Sequence, residues 1–164
     1  MLNRKKKFII AITAVFLLLL VGCTEQYTDQ PNEADMHIEQ KTFSVSPEDF
    51  TSAMAENTYF SSVPNEKDNT IQFEDASSSI TVTAMLYNEK ITTLVFGVQG
   101  ISMTGNEING YADRLNTVVA IVMEQETDCP PALFTEAQTI SVSGATFESV
   151  FGSDDITIMI VPEN

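Results

Sequence analysis

The stretch ITVTAMLYNEKITTLVFGV, residues 80–98, decides the fold. Apolar residues alternate with mostly polar ones through Ile80–Tyr87, and Ile91–Val98 is apolar on both sides, so each run is typical of a β-strand. Only Asn88-Glu89-Lys90 lies between them, which is too short for a helix and predicts an antiparallel hairpin. The second strand is predicted to lie at the centre of a sheet or beneath a helix, because both of its sides are apolar.

Further strand-like runs lie on either side of this hairpin. Thr70–Glu74 alternates upstream, and Thr139–Val142, Ala145–Phe151 and Ile156–Val161 are rich in β-branched and aromatic residues downstream. Residues 152–155 read Gly-Ser-Asp-Asp, which is typical of a turn. The last two runs are therefore predicted to form a second, terminal hairpin.

Two segments carry the signals of helices. Ser46 is a good N-cap and Pro47 suits the first helical position, so a helix is predicted over 47–57. Apolar residues recur at helical spacing over 107–125, although Thr117–Met123 is a β-branched apolar run that also fits a strand. We interpret this second segment as a helix and keep the strand as the alternative.

The order of these elements indicates the fold class. Turn-forming residues predict loops over 61–69 and 100–110, and Ala132–Gln138 is predicted to be a short helix. Strands in consecutive runs with few helices indicate an α+β fold. We predict an antiparallel sheet of about five strands with two main helices packed on one face. The other face is then free to be exposed, and such a face is a candidate binding surface.

The beginning of the chain is organised like an export signal. Basic residues 4–7 precede the apolar run Phe8–Val21, which is shorter than the roughly 20 residues that cross a membrane as a helix. The run ends in Leu20-Val21-Gly22-Cys23, which resembles the lipobox of bacterial lipoproteins. This resemblance implies cleavage between Gly22 and Cys23 and a thioether-linked diacylglycerol on Cys23.

This signal sets the predicted organisation of the chain. Residues 1–22 are predicted to be a lipoprotein signal peptide, 23–41 a lipid-anchored acidic tether, and 42–164 a single α+β domain. The predicted location is the cell membrane, where the lipid anchor holds the protein on the extracytoplasmic face. The alternative is an uncleaved N-terminal anchor helix in which Cys23 is unmodified. Both interpretations tether the domain to a membrane, and the type of envelope stays open.

The charge of the chain excludes some classes of partner. All 23 Asp and Glu residues follow Cys23, whereas only Lys41, Lys67, Lys90 and Arg114 are basic there, which gives a side-chain charge of −19. Such a chain is repelled by nucleic acids and by anionic lipid surfaces. No nucleic-acid partner is therefore predicted.

Residues suited to catalysis or metal binding are scarce. His37, the only histidine, lies in the predicted tether, so a Ser-His or Cys-His pair is not expected. With Cys23 lipidated, Cys129 has no disulfide partner and is interpreted as a structural residue. The acidic residues at Asp154-Asp155 and over 124–128 fit a turn and a solvated helix end. No catalytic residue, metal site or cofactor is predicted, and the protein is not expected to be an enzyme.

The predicted function is that of a non-catalytic module that binds a protein or a ligand at the membrane. Its predicted site is the exposed sheet face or the 100–110 loop. Two alternatives stay open: an accessory subunit of an envelope complex, and a small carboxylate-dependent enzyme or cation-binding domain. The expected partners are the membrane, through the lipid on Cys23, and an envelope protein or a small ligand.

Overall fold

The described part of the chain forms a single body. The computed structural model describes residues 40–61, 63–77, 79–100 and 105–163. All of them belong to the compact unit Glu39–Asn164. The lipobox with Cys23, and residues 23–39 of the predicted tether, lie outside the described residues. Among the helices that are described, none combines the length and apolar character needed to span a membrane.

The body is built on one antiparallel sheet of seven strands in the order β1-β2-β3-β4-β7-β6-β5. The strands are β1 Asn65–Lys67, β2 Thr70–Glu74, β3 Ile80–Tyr87, β4 Lys90–Gln99, β5 Thr139–Val142, β6 Ala145–Phe151 and β7 Asp155–Pro162. With two α-helices beside the sheet, the fold class is α+β, as predicted. The strand β4 is fourth of the seven, so the run that is apolar on both sides does occupy the centre.

The prediction of about five strands is wrong, chiefly because the 61–69 segment is not entirely a loop. Asn65–Lys67 forms the edge strand β1, which turns into β2 through Asp68 and Asn69, both with left-handed backbone (φ 47° and 63°). All residues of β1 are exposed, so they carry no apolar alternation that would reveal a strand. The nearby Pro64 and Asn65 give turn signals that dominate the sequence pattern.

Two helices are present where helical signals were found. Helix α1 spans Pro47–Glu56, and the Ser46 hydroxyl caps it by accepting the Asp49 backbone N–H at 3.1 Å. Helix α2 spans Gly105–Met123. The helical interpretation of this segment is thereby confirmed over the strand, and the loop predicted for 100–110 is corrected from Gly105 onward.

A short 3₁₀ turn lies between α2 and β5. It covers Pro131–Phe134 and overlaps only the start of the helix predicted for Ala132–Gln138. The Ser149 hydroxyl on β6 accepts the Gln138 backbone N–H at 3.0 Å, so the chain is already joined to the sheet at Gln138. Ser149 also donates to the Glu136 carbonyl at 2.9 Å, so one buried hydroxyl secures this connection.

Aromatic contacts place the helical layer against the sheet. Phe50 of α1 meets Phe73 of β2 edge to face, with ring centres 6.1 Å apart. Phe134 of the 3₁₀ turn meets Phe96 of β4 in the same manner at 6.2 Å, and Tyr111 of α2 contacts Phe134 at 6.0 Å. Val82 of β3 lies opposite both Phe73 and Phe96, so the two sheet phenylalanines project from the same face.

Candidate binding surface

The register of the strands divides the sheet into two faces. Directly opposed residues point to the same side, so Phe96, its β3 neighbour Val82 and its β7 neighbour Ile158 share one face. This covered face is almost wholly apolar and lies in the core with both helices. Its central members are fully or almost fully buried: Ile80, Val82, Ala84, Leu94, Phe96, Val98, Ile156, Ile158 and Ile160.

The opposite face is rich in threonine, and we call it the threonine face. It is made by the alternate residues Thr81, Thr83 and Met85 of β3, Thr93, Val95 and Gly97 of β4, Thr157, Met159 and Val161 of β7, and Thr146, Glu148 and Val150 of β6. None of them belongs to the core cluster. Most are half-buried, Glu148 and Val150 are exposed, and only Val95 and Gly97 are buried.

The side chains of the threonine face form rows that cross the strands. One row runs through Thr83, Val95, Met159 and Glu148, each directly opposite the next. Side chains paired in this way lie about 4.5–5.5 Å apart at Cβ. The row therefore presents a hydroxyl, two apolar groups and a carboxylate on a rigid backbone. Such a surface can bind by burying methyl groups and exchanging hydrogen bonds, but it holds no paired acid and base.

A second group of polar residues lies at the turn from β2 to β3. The Asp75 carboxylate accepts the backbone N–H of Ser79 at 2.9 Å, the backbone N–H of Ile80 at 3.0 Å and the Ser77 hydroxyl at 2.7 Å. Burial by itself raises the pKa of Asp75, but these hydrogen bonds and the nearby Arg114 charge outweigh it and lower the pKa. The carboxylate thus holds the turn in its ionised form.

Arg114 of α2 connects this turn to the end of α1. Its guanidinium lies over the Tyr59 ring, 5.5 Å from the ring centre, and its buried Nε has no hydrogen-bond partner. Burial and the Glu107 carboxylate raise the pKa of Tyr111 on the same helix. These contacts tie α2 to the sheet corner and to α1. Sequence reasoning missed them because the residues meet only through the tertiary fold.

Cys129 is buried, with 1% of its surface exposed, and forms no disulfide. Burial and the neighbouring Asp128 raise the pKa of its thiol to about 12. Its backbone N–H donates to Asn116 Oδ1 of α2 at 2.6 Å. A thiol this reluctant to ionise is a poor nucleophile, which agrees with its interpretation as a structural residue.

The acidic residues singled out in the sequence do not converge. Asp154 is exposed in the turn before β7, and Glu124 accepts a hydrogen bond from the Ser44 hydroxyl at 2.8 Å. Within residues 40–61, 63–77, 79–100 and 105–163, no three His, Cys, Asp or Glu side chains come together as metal ligands would. Of the 100–110 loop, residues 101–104 lie outside the described residues.

A cleft that the sequence did not predict lies between the first turn of α1 and the β1–β2 turn. It has a volume of about 590 Å³. Three acidic residues, Glu48, Glu66 and Asp68, line it with Lys67. It was missed because its second wall is built by β1, which the sequence pattern does not reveal as a strand.

Comparison with family models, with curated proteins and with solved structures finds no match to this chain.

Proposed function

We propose that the protein is a non-catalytic binding module, held by a lipid on Cys23 at the extracytoplasmic face of the cell membrane, that docks an envelope protein on its threonine face. The threonine face is the observation that carries this proposal. It is continuous over four neighbouring strands, is half-buried to exposed except at Val95 and Gly97, and is separate from the core cluster. Contiguous surface of this kind is typical of interaction sites.

Charge supports a protein partner with basic residues. The threonine face carries the exposed Glu148 of β6, and the half-buried Glu74 of β2 lies beside it, opposite Thr81. The whole chain has a net charge of −15. A partner surface with Lys or Arg around an apolar and hydroxyl centre would complement it. Such charge pairing speeds association and excludes acidic competitors.

The anchor supports a role beside the membrane. The resemblance of Leu20-Val21-Gly22-Cys23 to a lipobox implies two acyl chains on one residue, which suffice for stable membrane attachment. The acidic tether and domain are repelled by an anionic bilayer surface, so the domain would stand away from the lipid. Its local concentration near other membrane-bound proteins would then be high.

Site-specific photo-crosslinking in the native host tests this proposal. A photoreactive residue would replace Thr83 or Val150 on the threonine face, and Ser52 or Asp113, which are exposed on the two helices, in matched controls. We expect one shared adduct from the two sheet positions, at least tenfold stronger than from either helix position. Excess purified wild-type protein should compete the adduct away. A Thr83→Arg competitor should not, whereas an Asp113→Arg competitor should.

Equal adducts from all four positions, or full competition by Thr83→Arg, would overturn the proposal for this face. A Cys23→Ala variant separates the two parts of the proposal. If the lipid only concentrates the protein, this variant should lose the adduct in cells but still compete for it in detergent extracts.

A further inference from the structure

The outer edge of β5 carries backbone groups that no strand among the described residues pairs with. In the described residues β5 pairs only with β6. The Ser149 N–H donates to the Gln138 carbonyl at 2.9 Å, and the Gln138 N–H donates to the Ser149 hydroxyl at 3.0 Å, so Gln138 and Ser149 stand at a bonded position of the ladder. Bonded and non-bonded pairs alternate along antiparallel strands. The N–H and C=O groups of Thr139 and Ser141 therefore point away from β6, toward the outer edge of the sheet.

The two edges of the sheet differ in their protection. The edge strand β1 is three residues long, is preceded by Pro64 and contains Glu66 and Lys67, all features that discourage added strands. The edge strand β5 reads Thr-Ile-Ser-Val over Thr139–Val142, with no charge and no proline. Three of its four residues are β-branched and suit a strand interior. Its backbone is ready to pair with a further strand.

Charges around β5 indicate what such a strand would carry. Glu148 lies directly opposite Thr139 on β6 and is exposed, and Glu136 is exposed just before β5. Glu163 is also exposed, and its pKa is lowered by hydrogen bonds from Ser141 and Thr146, so it is ionised at neutral pH. A second copy of this chain would bring the same carboxylates together. A basic strand from another protein would be attracted.

We propose that the β5 edge accepts an extended basic segment of a partner protein as an additional strand. Backbone hydrogen bonds to Thr139 and Ser141 supply the pairing, and alternate side chains supply the selection. One set of side chains lies on the side of Ile140 and Val142 and is apolar. The other set lies on the side of Glu148 and carries Lys or Arg. The edge shares Glu148 with the threonine face, but its pairing groups belong to the β5 backbone, so the inference holds whether or not that face binds a partner.

Peptide titration with hydrogen–deuterium exchange tests the edge. The probe is a capped peptide of about ten residues that alternates lysine with valine, and its control has glutamate in place of each lysine. The first titration uses the unmodified full-length protein in uncharged detergent. We expect the lysine peptide to slow amide exchange within Thr139–Val142 and to leave Asn65–Lys67 unchanged. The glutamate peptide should bind at least tenfold more weakly.

Two proline variants form a matched pair. Ser141→Pro removes an outward N–H of β5 without removing a β5–β6 hydrogen bond. Glu66→Pro is the matched change on β1. Glu66 and Ser141 each lie one residue before the pair that closes a two-residue turn, so in both variants the lost N–H points away from the neighbouring strand. We expect Ser141→Pro to weaken binding of the lysine peptide at least tenfold and Glu66→Pro to change it less than twofold. Urea unfolding of both variants is the control for folding, and both are expected to remain folded.

Three outcomes would overturn the inference. The first is the absence of protection in Thr139–Val142 at any peptide concentration in the unmodified protein. The second is equal binding of the lysine and glutamate peptides. The third is a dimer in sedimentation whose formation protects β5, which would make a second copy of the chain the occupant.

Discussion

The two faces of the sheet are built from the same strands, but one is packed against the helices and the other lies outside the core. In β4, Phe96 on the covered face is 1% exposed and meets Phe134, whereas its neighbour Val95 lies among threonines on the other side and outside the core cluster. The covered face is apolar across all of its central strands, so its side chains are fixed by packing against the helices. The threonine face is less constrained by the fold, and its composition is free to serve contact with other molecules.

The largest expected effect comes from removing an aromatic anchor of the covered face. Phe96→Ala should lower the free energy of unfolding by about 3–5 kcal/mol, because it opens a cavity beneath the 3₁₀ turn. Val95→Ala, one residue away, should cost about 1–2 kcal/mol from the loss of two buried methylene equivalents. Urea unfolding measures both values. Equal losses for the two variants would contradict the division into a packed face and a free face.

A smaller effect is expected where a charge supports the covered side. Asp75→Asn should cost about 2–3 kcal/mol at pH 7, because the amide replaces a carboxylate that accepts hydrogen bonds from Ser77, Ser79 and Ile80. Since the folded pKa of Asp75 is lowered, its stabilisation is present above the unfolded value of about 3.9 and is lost as pH falls through the folded pKa. The difference between wild type and variant should therefore shrink below about pH 4. The control Glu74→Gln, on the threonine side of the same strand, should stay within about 0.5 kcal/mol of wild type at pH 7.

The buried hydroxyl on the covered face gives the next test. Ser149→Ala should cost about 1–2 kcal/mol, because the Gln138 N–H loses one acceptor and the Glu136 carbonyl loses its donor. Faster amide exchange in β5 should accompany the loss, since Ser149 holds the entry to that strand. Unchanged exchange in Thr139–Val142 would contradict this role.

The smallest effect is expected on the threonine face. Thr157→Val keeps the shape of the side chain and should change the free energy of unfolding by less than about 0.5 kcal/mol. The adduct formed by a photoreactive residue at Thr83 should weaken, because the hydroxyl is lost near the centre of the surface. A stability loss above about 1 kcal/mol would show that Thr157 is packed rather than free.

Local pattern was sufficient to predict most of the sheet. Alternation placed β2 and β3 with their observed bounds, and the Ser46-Pro47 signal placed the start of α1. Both hairpins were also predicted correctly, because short turns leave consecutive strands no other simple partner. The prediction that one sheet face is free to be exposed came from the number of sheet faces and helices. The threonine composition of that face was not predicted.

Features that depend on distant contacts could not be predicted. Strand β1 pairs through its backbone alone, with all its side chains in solvent, so no pattern of apolar residues marks it. The contact of Arg114 with Tyr59 joins helix α2 to the segment that follows α1, and the two residues are far apart in the chain. The open edge at β5 became visible only with the strand order, because the sequence cannot tell an edge strand from an inner one.

The order of the strands also determines when the last strand pair of the sheet can form. Every neighbouring pair in the sheet is consecutive in the chain except β4 and β7, where Gln99 meets Asp155 across the whole length of α2, the 3₁₀ turn, β5 and β6. Joining them carries the largest loop-closure entropy of any strand pair, so this step is expected to limit the folding rate. Because β7 follows the other six strands in the chain, the central strand β4 stays without one neighbour until all of them have been synthesised.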